Sequence, residues 1–210
     1  MAGRTRTPRR DAVANREKLL TAAAQLFAER GLAAPLEEIA RRSGVSIGTL
    51  YNHFPTRESF FDAIYPEKLR GLEVAGQEAL AAADPWTGFR DFMLATFNLQ
   101  AEDRGLNEAM TLRYPAAAAM TEACDRGYAS VQQIIDRAQR AGVLRADFTL
   151  QDLACLIWAT SRVIAATVEV APRAWRRYFD LQLDGLRAEA ANPSEVPPMT
   201  NEQVAAAMRA

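Results

Sequence analysis

With 210 residues, 49% of them hydrophobic, the chain has enough apolar material for a sizeable core, as one large domain or as a small domain beside a medium one. A single His and two Cys (Cys124 and Cys155) make no metal-ligand pattern, and no nucleophile–base arrangement is visible, so neither an enzyme nor a resident metal or cofactor is expected. The formal net charge of −1 is uneven. Residues 1–60 hold 10 Lys+Arg against 6 Asp+Glu and the remainder 15 against 20, which points to nucleic-acid contact at the N-terminal end. No apolar run follows Arg4, Arg6, Arg9 and Arg10, so these do not begin a signal peptide. No apolar stretch approaches the roughly 18 residues of a membrane span, and the expected location is the cytoplasm, without a membrane partner. Each cysteine falls among Ala and Leu in helical sequence, where a buried free thiol is the usual state.

In chain order every segment reads as helix. Residues 1–10 are expected to be a flexible basic arm. From Asp11 to about Arg30, Leu19, Ala23, Leu26 and Phe27 recur at helical spacing, and Gly31 ends the helix. Pro35 suits the first turn of a second helix running to about Ser43. Gly44 can take the left-handed conformation that ends it, and Ser46 can cap a third helix from about Ile47 to Phe54. Pro55 stops that helix and Thr56 caps a long fourth one with Phe60, Phe61 and Ile64 inward. Pro66 is expected to kink or break it. Asp84-Pro85 is a cap followed by a first-turn proline, and Trp86, Phe89, Phe92, Met93 and Phe97 form the inner face of the fifth helix. A short helix near Gly105–Leu112 follows. Pro115 opens a long one, with Met120, Cys124, Tyr128 and Ile135 inward, that Gly142 closes. Thr149-Leu150-Gln151-Asp152 resembles a capping box before an apolar helix through Leu153, Ile157, Trp158, Ile164 and Val168. Pro172 begins a last helix with Trp175, Tyr178, Phe179, Leu183 and Leu186 inward, and the tail from about Asn192 is expected to be loosely ordered.

The segment Glu37–Phe54 is the most informative. Ile39 and Ala40 give a first short helix an apolar face, Gly44 and Ser46 make a tight turn, and Leu50 and Phe54 lie four apart on the second. Burying Leu50 and Phe54 leaves hydroxyl, amide and imidazole groups on the other face, as a recognition helix in a major groove requires. The string Ala23, Leu26-Phe27, Gly31, Ile39-Ala40, Gly44-Val45-Ser46, Gly48-Thr49-Leu50-Tyr51, His53-Phe54 and Arg57 strongly resembles the DNA-binding domain of TetR-family transcriptional regulators. The resemblance implies an all-α fold: a helix-turn-helix domain over 11–58, a larger helical ligand-binding and dimerisation domain over 59–190, and the tail at 191–210. It implies a homodimer on double-stranded operator DNA. Carried over by position, the DNA face is Ser46, Ile47, Gly48, Thr49, Tyr51, Asn52, His53 and Arg57. Tyr51, His53 and Arg57 suit phosphates, Gly48 permits close backbone approach, and Thr49 and Asn52 suit base edges. Ala34-Pro35-Leu36 offers no hydroxyl cap at the start of the second helix, where many members of the family have Ser or Thr. The arginine-rich arm is a candidate substitute in the minor groove or on the backbone.

In this family the second domain usually encloses a small-molecule pocket. Aromatic and Met side chains that could line one are Trp86, Phe89, Met93, Phe97, Met110, Tyr114, Met120, Tyr128 and Trp158. Arg162, one turn past Trp158, is an anchor for an anionic group, a salt-bridge partner or a solvent-facing side chain. The last two helices are apolar enough for a four-helix dimer interface, in which Trp175, Phe179, Leu183 and Leu186 meet Leu153, Ile157 and Ile164 across a two-fold axis. The implied function is a repressor released by a small apolar or amphipathic effector. The competing reading is an effectorless DNA-binding adaptor whose second domain only dimerises or recruits protein.

Overall fold

Apolar periodicity and local caps fold residues 8–209, the part that this computed structural model describes, into ten α-helices with no β-strand. They are α1 (Pro8–Arg30), α2 (Leu36–Ser43), α3 (Ile47–His53), α4 (Arg57–Ala81), α5 (Pro85–Glu102), α6 (Arg104–Ala109), α7 (Ala118–Arg140), α8 (Leu150–Thr167), α9 (Ala174–Leu186) and α10 (Asn201–Ala207). The expected caps act as such. Thr56 accepts from the Ser59 N–H, Asp84 accepts from the Trp86 and Thr87 N–H groups, and Thr149 and Asp152 cap each other's backbone.

Two apolar clusters hold these helices together. The first joins Leu26 and Phe27 of α1, Ile39 of α2 and Leu50 of α3 to Phe60, Phe61, Tyr65 and Leu69 of α4. It continues into Leu106 of α6 and Met120 of α7. The second joins Ala79 of α4 to Trp86, Phe89 and Phe97 of α5, Ile135 of α7, Ile157 of α8 and Phe179 of α9. Helix α4, about 37 Å long at 1.5 Å per residue, belongs to both. Packing therefore changes from one cluster to the other between Leu69 and Ala79, not at residue 58.

Several expectations need correction. Pro8, Arg9 and Arg10 form the first turn of α1 rather than part of an arm; the expectation for Arg4 and Arg6 falls outside the described residues. Pro35 is the cap residue of α2, without a side-chain bond, and α2 begins at Leu36. Pro66 does not interrupt α4. Tyr65 and Leu69 on either side are buried, so tertiary packing holds the turn that the missing N–H would weaken. Helix α7 begins at Ala118 rather than Pro115; no side chain of its own caps it, and Asp62 of α4 accepts from the Met120 N–H at 3.1 Å. Helix α9 begins at Ala174, not Pro172, and Tyr178 on it is 55% exposed. Cys155 is exposed, because it sits on the outer side of α8, and Cys124 is half-buried. The tail is not uniformly loose. A Thr200/Gln203 capping box starts α10, and Met208 beyond it is buried.

Candidate nucleic-acid interface and apolar cavity

The turn between α2 and α3 is built from two backbone features. Gly44, at φ +67°, adopts the left-handed conformation, and Val45 N–H and Gly44 N–H return to the Ala40 and Arg41 carbonyls at 3.1 and 3.3 Å. Ser46 then accepts from the Thr49 N–H at 3.2 Å, and the two hydroxyls lie 2.9 Å apart. On the inner face of α3, Leu50 and Phe54 are buried, Phe54 stacked on Phe60 with 4.0 Å between ring centroids. Arg16 lies over the Phe54 ring, its guanidinium carbon 5.2 Å from the centroid. This anchoring turns Ser46, Ile47, Gly48, Tyr51 and Asn52 outward; Tyr51 is 46% exposed, while Thr49 and His53 are half-buried.

Arg57 departs from its expected place. Its Nη1 donates to the Leu32 carbonyl at 2.7 Å and to the Ala34 carbonyl, so it clamps the loop before α2 instead of projecting toward a phosphate. The cations of α2 are also engaged. Arg41 and Arg42 bind Glu38, Arg42 also binds Glu29, and these bonds hold the Glu38 carboxyl down at about 2.

A second link enters the same loop from the larger half. The Glu108 carboxylate of α6 accepts from the Leu32 N–H at 2.7 Å. Gly31, at φ +82°, leaves room for it, because a Cβ there would fall on that carboxylate. Nothing in the periodicity marks Glu108 for this role. The contact depends on the packing of α6 against α1.

An apolar cavity of about 90 Å³ lies at the seam of the two clusters. Leu69, Ala109 and Met120 of the first cluster and Phe92, Val131 and Ile157 of the second contribute to its wall. Of the aromatic and Met side chains expected at a pocket, Met93, Met110, Tyr114, Met120 and Tyr128 line it. Trp86, Phe89 and Phe97 pack into the second cluster instead, Phe97 against Phe179 at 4.7 Å. Trp158 and Arg162 border a separate shallow groove beside Asn107, and Arg162 is exposed. Burial raises the hydroxyl pKa of Tyr114 and Tyr128 and the thiol pKa of Cys124, so all three remain protonated near neutral pH. Arg113 also borders the cavity, and no Asp or Glu among the described residues does.

A helix-turn-helix packed against a larger helical domain with an apolar cavity at the seam defines the class of helix-turn-helix transcriptional regulators. Comparison with known proteins specifies it. Residues 19–64 match the family described as bacterial regulatory proteins, tetR family, and residues 84–188 match the C-terminal domain described as transcriptional regulator SbtR-like. The chain belongs to the TetR family of transcriptional regulators. Its sequence is 50% identical over 58 residues to the transcriptional repressor KstR2 of Rhodococcus jostii, covering 27% of this chain and 26% of that protein. It is 33% identical over 84 residues to KstR2 of Mycolicibacterium smegmatis, covering 39% and 41%. The matches thus span about a quarter and two fifths of these curated relatives. The crystal structure of the TetR regulator SCO0520 of Streptomyces coelicolor superimposes with a TM-score of 0.53 at 30% identity, covering 82% of this chain and 98% of that one. No helix among the described residues is long and apolar enough to cross a membrane.

Proposed function

We propose that this chain is a repressor that binds a two-fold operator as a homodimer through α3 and leaves it when a small apolar or amphipathic molecule enters the cavity. The observation that carries this reading is the position of the cavity. Its walls come from both clusters, and Met110 packs against both. A molecule placed there pushes on the seam between the half that holds α3 and the half that would hold the partner. Glu108 and Arg57 transmit such a displacement to the loop before α2, since both bond to Leu32. A coupling of about 1–3 kcal/mol between the two sites is enough for a useful switch.

On the DNA side, Tyr51 and His53 bind phosphates, Asn52 and Thr49 read base edges, and Gly48 lets the backbone approach; Ser46 caps, Ile47 makes apolar contact, and Arg57 positions the loop. For the dimer, Trp175, Phe179, Leu183, Leu153, Ile157 and Ile164 are already buried within one chain, with half-buried Leu186 packed beside them, which favours an interface on other faces. The outer faces offer Tyr178 and Leu181 of α9, 55% and 56% exposed, and on α8 the exposed Cys155 and Ala159. These form the self-complementary surface of a two-fold interface.

Selection of bound duplexes from random DNA tests the reading. The expected product is an inverted repeat with half-sites about 34–36 Å apart or a multiple of that, bound with an affinity that falls steeply with salt. An asymmetric or single-stranded preference refutes it. Operator affinity that is unmoved by any molecule shown to occupy the cavity favours the adaptor reading.

A further inference from the structure

The segment after α9 ends on the cavity. Residues 192–200 run without helix across the protein, and the seven-residue α10 follows. Few hydrogen bonds hold this segment to the rest of the chain. Arg145 donates to the Asn192 carbonyl at 2.8 Å, Gln151 to Asn201 at 2.6 Å, and α10 buries none of its own residues. The exception is Met208, 5% exposed, whose side chain forms part of the cavity wall. The Arg113 N–H donates to the Met208 carbonyl at 3.0 Å. Arg113 stands at the rim, its side chain 38% exposed and 3.5 Å from Asp125. An apolar side chain inside and a carbonyl oxygen at the rim are the two ends of an amphipathic molecule, here supplied by the chain itself.

We propose that Met208 is a displaceable plug of the cavity, and that the effector is an amphipathic anion that takes its place, with its apolar body in the cavity and its anionic group on Arg113. This rests on the effector-cavity reading above. Space and charge both support it. With the plug in place the cavity measures about 90 Å³, less than the roughly 150 Å³ that admits a benzene ring in an engineered apolar cavity. A longer chain or a fused-ring molecule gains room there when Met208 leaves. Arg113 is the only charged residue lining the cavity among the described residues, so an anion gains a partner there and a cation meets repulsion. The competing anion, Asp125, is more than half exposed and makes a loose pair, so a carboxylate can displace it. Because α10 touches α8, α6 leads directly into the Arg113 loop, and Arg113 bonds to Met208, displacing the plug also frees the outer end of the α6 wall.

Decanoate and decan-1-ol, equal in chain length and different in head charge, serve as probes in calorimetric titrations. They are titrated into the full chain, a form ending at Ala191, Met208→Ala and Arg113→Gln. The full chain should prefer decanoate. Removing the plug, by truncation or by Met208→Ala, should tighten both probes by about tenfold, because the closed form no longer competes. Arg113→Gln should abolish the preference for decanoate and leave decanol binding unchanged. Decanoate binding to the full chain should also remove the hydrogen-exchange protection of the Arg113 amide. If the probes bind but neither plug variant changes their affinity, the plug is wrong. If Arg113→Gln keeps the preference, the anion assignment is wrong. If neither probe binds any form while all four proteins unfold cooperatively, the effector-cavity reading itself falls.

Discussion

Replacing Gly31 with Ala tests the link between the two halves of the molecule in isolation. Two costs arise. At φ +82° a side chain is strained, which is worth about 1–2 kcal/mol for a left-handed L-residue. The new Cβ also falls on the Glu108 carboxylate. That carboxylate ends a flexible side chain and can withdraw, but only by abandoning the buried Leu32 N–H at 2.7 Å. An unsatisfied buried N–H costs about 1–3 kcal/mol, and the lower half of that range applies because Glu108 is partly exposed. Gly44 is the internal control. Its φ of +67° carries the same strain, and nothing lies within 4 Å of a Cβ there. Gly31→Ala should therefore cost about 2–4 kcal/mol and Gly44→Ala about 1–2 kcal/mol. In a Glu108→Ala background the cost of Gly31→Ala should drop to that of Gly44→Ala. Urea unfolding followed by circular dichroism measures all four changes, and the coupling between positions 31 and 108 comes from the double-mutant cycle. Equal costs for Gly31→Ala in the two backgrounds would refute the link.

Other outcomes follow from the same structure. Tyr51→Phe should weaken all DNA sites alike, whereas Asn52→Ala should relax preference at one base pair by about 1–3 kcal/mol; an unchanged selected sequence for Asn52→Ala would end its role as a reader. Tyr178→Glu or Leu181→Glu should give folded monomers in sedimentation, because a carboxylate is then buried twice per dimer. Phe179→Glu should instead unfold the chain, since Phe179 lies inside one protomer; a dimer that survives both surface changes places the interface elsewhere. Glu38 and Asp147 each titrate at about 2 in the folded protein, below their ordinary 4.5 and 3.8, held by Arg41 with Arg42 and by Arg145 respectively. A lowered folded pKa stabilises above the unfolded value, so this contribution is whole above pH 4.5 and is lost as pH falls toward about 2. Glu38→Gln should flatten that acid loss in urea midpoints compared across the window, and a drop equal to that of the unaltered protein would show that the Glu38 pair contributes nothing.

What could be read from the sequence was what short spacings determine. Gly44 and Ser46, Thr56, Asp84-Pro85 and Thr149 with Asp152 each satisfy backbone groups within a few residues, and all five act as expected. Leu50 and Phe54 gave the buried side of α3 for the same reason. Contacts between distant segments were not legible. Arg57 has the position of a phosphate ligand, yet two carbonyls some 25 residues earlier claim it. Helical spacing put Tyr178 on the same face as Trp175, but the neighbours of α9 cover only the Trp175, Phe179 and Leu183 stripe. Spacing also cannot separate an aromatic that fills the core, such as Phe97, from a methionine that borders a void, such as Met110, because both lie on inward faces. Arg113 and Met208 were missed altogether, since neither belongs to a periodic run and their meeting depends on how a non-helical stretch crosses the surface.

The first apolar cluster also bears on how regulators of this kind can be recombined. It draws Leu106, Ala109, Ala117, Met120 and Ala123 from beyond the reading head, so the head is not a detachable cartridge. A hybrid sensor spliced at residue 58, where the recognisable motif ends, would leave Leu26 and Phe27 facing a foreign α4 and α6. Such a graft should lose its cooperative melt unless the donor brings matching side chains at these positions. A splice between Leu69 and Ala79 fares no better alone, because α6 and the start of α7 still belong to the head. The transferable unit is discontinuous in sequence: the first 69 residues together with the short stretch from α6 into α7, exchanged as one block.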